Sequence, residues 1–149
     1  MASTRDPDLH LVVDGVPRRA QSVAGGVYTF RIAPGARRIT IASRSVVPRE
    51  VLGDALPDLR CLGVPVHRIT LKGDGAPVEI GHDHPGLTNG FHQDEGTHRW
   101  TDGRGVIPPD VVPCSVGELT LEVHVGTIEL DYPVQIEDHT SRPIPIGSD

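Results

Sequence analysis

The stretch VYTFRIAPGARRITIA, residues 27–42, carries the clearest structural signal in this chain. Apolar and polar residues alternate on both sides of Pro34-Gly35, which is the period expected of strands with one buried face. Proline fixes φ at the second position of a type II turn, and glycine accepts the positive φ that the third position requires. The stretch therefore predicts a β-hairpin, with strands at residues 27–32 and 38–42.

Further strands are predicted where short apolar runs are bounded by glycine, proline or aspartate. They lie at residues 10–13, 64–71, 78–80, 119–125 and 128–136. Within residues 119–125 the alternation is strict, so leucine and valine face one way while Thr120, Glu122 and His124 face the other.

Helical periodicity is limited to a short segment at residues 48–52, which can continue toward Leu56 before Pro57 ends it. Short strands at this spacing, without a longer repeat, are typical of a two-sheet sandwich. The sequence predicts an all-β fold, an antiparallel sandwich or jelly roll with one long functional loop.

Length and composition predict one domain over residues 1–149, with loose tails at residues 1–8 and 140–149. No window reaches the roughly 18 apolar residues of a membrane span, and no secretory signal is visible, so we expect a soluble chain. The net charge of −6 argues against nucleic acid as a partner, because that affinity depends on clustered cations. Cys61 and Cys114 lack zinc-site spacing, and a single bridge and two buried thiols both remain open.

Residues 81–109 depart from the strand pattern. They read GHDHPGLTNGFHQDEGTHRWTDGRGVIPP and hold the only tryptophan and a cluster of histidines. Little of this segment is apolar enough for a core, so we interpret it as a long loop whose side chains bind or catalyse.

One interpretation of the loop is a divalent metal site. His82 and His84 are two residues apart and would share a face on an extended backbone, so both could hold one ion. The residues available to complete the ligand set are His92, His98 and Glu95. This set would suit a small metal-dependent enzyme, a hydrolase or a cupin-like oxygenase, although the glutamate of the cupin spacing is replaced by Thr88 and Asn89. The alternative is a solvated polar loop.

A second interpretation is recognition of a saccharide or other polar small molecule. Trp100 would supply an aromatic platform for the sugar ring, with polar side chains around it to bind hydroxyl groups. Those side chains would be His92, Glu95, Arg99 and Asp102. The alternative is structural: Trp100 fills the core, and Arg99 pairs with Glu95 to close the loop.

A third interpretation is acid–base catalysis without metal, with His92 and Glu95 as the working pair. No sequence motif supplies a nucleophile for it. A purely structural or oligomerising module, using exposed strand edges as contact surface, is a further alternative.

The series Gly90-Phe91-His92, Glu95 and Arg99-Trp100-Thr101-Asp102-Gly103, with residues 41–48 and 62–66, resembles a β-rich module of bacterial proteins. That module occurs beside Hedgehog/intein (Hint) domains and in glycan-related multidomain proteins. The resemblance spans residues 10–133. It implies no activity of its own, but it adds Arg44 to the candidate ligand-binding residues, with a bridge from Arg44 to Glu95 as the structural alternative. Binding of a saccharide or other polar small molecule is the function we predict.

Overall fold

The computed structural model describes residues 3–47, 60–113 and 115–134, and over these residues the protein is an antiparallel all-β sandwich, as predicted. The predicted helix at residues 48–52, Cys114 and the tail at 140–149 lie outside the described residues. The strands are β1 Ser3–Thr4, β2 His10–Val13, β3 Val16–Arg18, β4 Ser22–Ala24, β5 Val27–Ile32, β6 Ile39–Ala42, β7 Pro65–Lys72, β8 Val78–Gly81, β9 Arg99–Trp100, β10 Arg104–Val106, β11 Leu119–Val125 and β12 Tyr132–Pro133.

The strands form two main sheets. The larger has the order β4-β5-β11-β7-β8, with β9 also paired to β7, and the smaller has the order β10-β6-β2-β3. A separate two-stranded pair joins β1 to β12. Ser3–Thr4 therefore form a strand inside the segment predicted as a loose N-terminal tail.

The core lies between the two main sheets and is built almost entirely from aliphatic side chains. The larger sheet contributes Phe30, Ile69 and Leu121, and the smaller contributes Leu11 and Ile41, all completely shielded from solvent. On β11 buried and half-buried positions alternate along all seven residues, which confirms the predicted outward face of Thr120, Glu122 and His124. The polar face of the larger sheet is thus available for a site.

The predicted hairpin is wrong, although both of its strands form. β5 pairs with β4 and β11, whereas β6 pairs with β10 and β2, so the two strands belong to different sheets. Both edges of each strand are already occupied, and the connection instead arches from one sheet to the other. Gly35 has φ +86, as the predicted Pro34-Gly35 turn requires. The Asp14 carboxylate holds the arch by accepting the backbone N–H groups of Arg37 and Arg38.

The predicted strand at residues 128–136 is much shorter in the structure. Within residues 115–134 only Tyr132–Pro133 is a strand, and residues 135–136 lie outside the described part. Tyr132 is completely buried, and its hydroxyl donates to the Gly63 carbonyl at 2.6 Å.

The only helical element of residues 3–47, 60–113 and 115–134 is a 3₁₀ turn at Pro109–Val111. No helix in this part of the chain has the length and apolar character needed to cross a membrane.

Candidate functional site

The loop predicted to carry function leaves the larger sheet and returns to the same strand edge. β8 pairs with residues 68–71 of β7, and β9 pairs with Pro65 and Val66 on that same edge. The His82 backbone N–H donates to the His67 carbonyl at 3.1 Å where the loop begins. Because both ends of the loop are fixed on β7, its side chains are held beside the end of the larger sheet.

His82 and His84 do not share a face, because the backbone turns directly after β8 and is not extended. His82 Nδ1 lies 2.7 Å from Asp94 Oδ1. His84 Nδ1 accepts the Gly86 backbone N–H at 2.9 Å. The predicted arrangement of these two rings around one ion is therefore wrong.

The other two loop histidines also have separate partners. His92 Nε2 donates to the Cys61 carbonyl at 2.6 Å, and Cys61 itself is a free thiol. His98 Nδ1 lies 2.8 Å from the Thr97 hydroxyl. Among the described residues, no group of three or more His, Cys, Asp or Glu side chains is placed to hold a metal ion.

Trp100 is half-buried in β9 and lies opposite Pro65. Its ring contacts His98 edge-on at a centroid distance of 5.9 Å, and His98 contacts His67 in the same way at 6.3 Å. The indole is therefore neither sealed between the sheets nor fully open. A chain of three rings connects it to His67 on β7.

Both structural pairings predicted for Glu95 are wrong. The Glu95 carboxylate pairs with Arg60 at 2.8 Å and lies 3.5 Å from His98 Nε2. Arg99 instead donates to the Leu87 carbonyl at 2.5 Å. Arg44 donates to the Asp6 carbonyl at 2.9 Å, on the N-terminal segment.

Asp102 follows β9 in the chain, and its contacts hold the local turn. Its carboxylate accepts the Arg104 backbone N–H at 3.0 Å, while its carbonyl accepts the Cys61 thiol. The residues predicted to bind a ligand around Trp100 are thus each engaged within the protein. A ligand-binding role for them stays a prediction.

A polar cavity of about 550 Å³ opens at the end of the larger sheet, beside the loop. We call it the histidine cavity, because three imidazoles line it. Of the loop residues singled out from the sequence, only His82 contributes to it. The lining residues are Gly25, Gly26, Val27, His67, Arg68, His82, Thr97, His124, Val125, Gly126 and Thr127.

A β-bulge places two neighbouring side chains toward this cavity. His124 of β11 pairs with Arg68 and Val125 pairs with Val66, so His67 is an extra residue on β7. Bulges redirect side chains in this way and are common beside functional sites. Gly126 permits the close approach of the His67 ring, because a Cβ at that position would lie 2.7 Å from His67 Nε2.

Hydrogen bonds fix the orientation of two of the three imidazoles. His67 Nδ1 lies 2.8 Å from the Thr97 carbonyl, which only accepts, so Nδ1 carries the proton and donates. His82 Nδ1 is held in the same way by Asp94. In the neutral ring, Nε2 then bears the lone pair. Each ring therefore keeps one nitrogen for a ligand.

The contact with His82 also changes the pKa of the Asp94 carboxylate. The hydrogen bond from His82 lowers the pKa of Asp94 below its ordinary value, and a hydrogen bond from the Gly96 backbone acts in the same direction. Asp94 is consequently ionised over the whole physiological range.

The third imidazole, His124, is less completely satisfied. His124 Nε2 is buried and has no hydrogen-bond partner within the described ranges. Glu122 Oε1 lies 3.5 Å away, close enough for electrostatic attraction, but the geometry is not that of a hydrogen bond. The side chain of His124 thus lines the cavity while its buried Nε2 lacks a hydrogen bond.

Three cationic or imidazole residues of the cavity, His67, Arg68 and His124, are not among the site residues predicted from the sequence. The alternation of β11 did place His124 on the polar face, which was a usable signal. His67 and Arg68 point outward together only because of the bulge, and the register that creates it is not visible in the sequence of β7.

Comparison of the chain with protein-family models, with curated proteins and with solved structures found no match. The resemblance to the module found beside Hint domains therefore stays a prediction, and the functional argument depends on the cavity itself.

Proposed function

We propose that this protein is a binding module that holds a hydroxyl-rich small molecule, a saccharide, in the histidine cavity. The observation that carries the proposal is the convergence of two oriented imidazoles, His67 and His82, on one polar hollow. The cavity volume of about 550 Å³ lies in the range typical of small-molecule sites.

The lining chemistry favours a ligand with many hydroxyl groups. A hydroxyl both donates and accepts, so it can donate to a lone pair on Nε2 of His67 or His82 and accept from the Arg68 guanidinium. Thr97 and Thr127 add two hydroxyl groups of their own. The rigid antiparallel sheet under the cavity limits the reorganisation needed to bind.

Trp100, which the sequence predicts as the platform for the sugar ring, is not among the residues that line the cavity. Trp100 becomes a reporter, because the chain of ring contacts runs from the indole through His98 to His67 in the cavity wall. A ligand that displaces or charges His67 should change the environment of the indole and hence its emission.

The proposal is tested by titrating a panel of mono- and disaccharides into the protein, following Trp100 emission and heat of binding. We expect saturable binding that His82→Gln weakens by about tenfold or more, corresponding to one lost ligand hydrogen bond. The matched control is His84→Gln, which alters the same turn but not the cavity lining. Binding that is absent across the panel, or equally weakened by both variants, would refute the proposal.

A further inference from the structure

The lining of the histidine cavity has an unusual balance of charge-bearing groups. Three of its eleven residues are histidine and one is arginine, and none is aspartate or glutamate. The whole chain has the opposite balance, with 20 acidic against 14 basic residues. The excess of cationic and imidazole groups is therefore local to this cavity.

We infer that the ligand of the cavity carries an anionic group, such as the carboxylate of a uronic acid or the sulfate of a sulfated sugar. The inference rests on the proposed function and narrows its ligand class. Arg68 is the central residue, because a planar guanidinium can donate two parallel hydrogen bonds to one carboxylate or sulfate.

Sheet register brings the cationic groups side by side. Arg68 of β7 pairs with His124 on β11 and with Gly81 on β8, and His82 follows Gly81 directly. Residues that pair across antiparallel strands share a face and lie about 5 Å apart. An anion above Arg68 would therefore meet His124 on the same face, and His82, in the turn after β8, lines the same cavity.

The carboxylates near this row lie outside the cavity lining. Glu79 lies 3.5 Å from Arg68, and Glu122 lies 3.5 Å from His124; both carboxylates line an adjoining hollow, which Arg68 and His124 also line. The Arg68 to Glu79 pair is more than half exposed, and exposed pairs of this kind contribute little. A ligand anion can therefore replace Glu79 as the partner of Arg68.

Asp94 supports anion binding from behind the cavity wall. It holds His82 Nδ1 at 2.7 Å and does not line the cavity itself. Because Asp94 engages Nδ1, Nε2 is the nitrogen of His82 that remains for the ligand.

The test compares glucuronate and galacturonate oligosaccharides with the neutral glucose and galactose oligosaccharides of the same linkage. We expect the acidic member of each pair to bind at least about tenfold more tightly, and Arg68→Gln to abolish that difference. Arg68→Lys should restore part of it. Arg37→Gln, an exposed cation at the opposite end of the fold, is the control. Added salt should weaken only the acidic ligands.

The results distinguish a failure of the anionic-ligand inference from a failure of the proposed saccharide binding. Equal affinity for acidic and neutral partners, unchanged by Arg68→Gln, would overturn the anionic ligand and leave saccharide binding standing. Binding of neither class would overturn the proposed function. If inorganic phosphate displaces the acidic saccharide and binds as tightly, the cavity is an anion site. The sugar part of the ligand would then contribute nothing, and the saccharide would be ruled out as the ligand.

Discussion

His82 Nδ1 lies 2.7 Å from Asp94 Oδ1, and this contact joins the end of β8 to a loop residue twelve positions further along the chain. Asp94 also accepts the Gly96 backbone N–H at 3.2 Å, so its carboxylate is fixed from two directions. The contact performs two tasks at once. It anchors the loop beside the sheet, and it sets which nitrogen of His82 faces a ligand.

The first prediction concerns the titration of Asp94. Its lowered pKa is caused mainly by the His82 hydrogen bond, so His82→Gln should raise the Asp94 pKa toward its ordinary value. Because the folded pKa lies below the unfolded one, the contact stabilises the fold above the unfolded pKa, and that contribution is lost as the pH falls through the folded pKa. Carboxyl chemical shifts followed by NMR measure the change.

Asp8 provides the internal control for that titration. Its pKa is also lowered, but the cause is a hydrogen bond from Arg19, and Asp8 lies just before β2 of the smaller sheet. An Asp94 pKa that does not move in His82→Gln, or an equal movement of Asp8, would contradict the assignment.

The second prediction concerns the buried phenol of Tyr132. Burial raises the pKa of Tyr132 to about 12, with smaller contributions from Tyr28 and Asp6. The folded state therefore holds this proton more tightly than the unfolded state. Stability should be unaffected below about pH 10 and fall as the pH rises toward 12, by about 3 kcal/mol in total.

Absorbance of the phenolate and urea unfolding at several pH values check this expectation. Tyr132→Phe should remove the alkaline loss of stability, and at neutral pH it should cost about 1–3 kcal/mol because the Gly63 carbonyl loses its donor. Ionisation of both tyrosines near pH 10 in the folded protein would show that Tyr132 is not sealed from solvent.

The sequence predicts correctly those features of the fold that depend on a single strand, namely its bounds and its buried face. The bounds of β2 and β11 match the predicted strands, and so does the polar face of β11, because alternation depends only on which side is buried. Pairing depends on which edges are free, and that is a property of the whole sheet. The Pro34-Gly35 turn was therefore recognised correctly, while the partner of each flanking strand was not.

The site shows the same division. The composition of residues 81–109 predicts the loop, and of the loop residues predicted as site residues, His82 lines the cavity. The other polar loop side chains are engaged by distant backbone groups, as when Cys61 holds His92 and Leu87 holds Arg99. No local pattern predicts such partners, so convergence around Trp100 could not be tested from sequence.

The third prediction concerns the arch that replaced the hairpin. Asp14 accepts the backbone N–H groups of Arg37 and Arg38 at 3.1 and 2.8 Å. Asp14→Ala should lower the free energy of unfolding by about 2 kcal/mol, since both donors lose a charged acceptor. Asp14→Asn keeps an oxygen acceptor and tolerates the positive φ of this position, so it should lose much less. Urea unfolding compares the variants, and equal losses would mean that side-chain acceptance does not hold the arch.

The last prediction tests whether the shape of the histidine cavity depends on the contact between Gly126 and His67. A Cβ at position 126 would lie 2.7 Å from His67 Nε2, so Gly126→Ala should push the ring away from the Thr97 carbonyl. The ring is the movable partner, so stability should change by no more than about 1 kcal/mol, whereas saccharide affinity should fall by about tenfold. Gly117→Ala is the control, because a Cβ there meets nothing within 4 Å. The His67 ring nitrogen resonances should shift in Gly126→Ala alone; if they stay unchanged while binding is lost, His67 does not bind the ligand in the way argued.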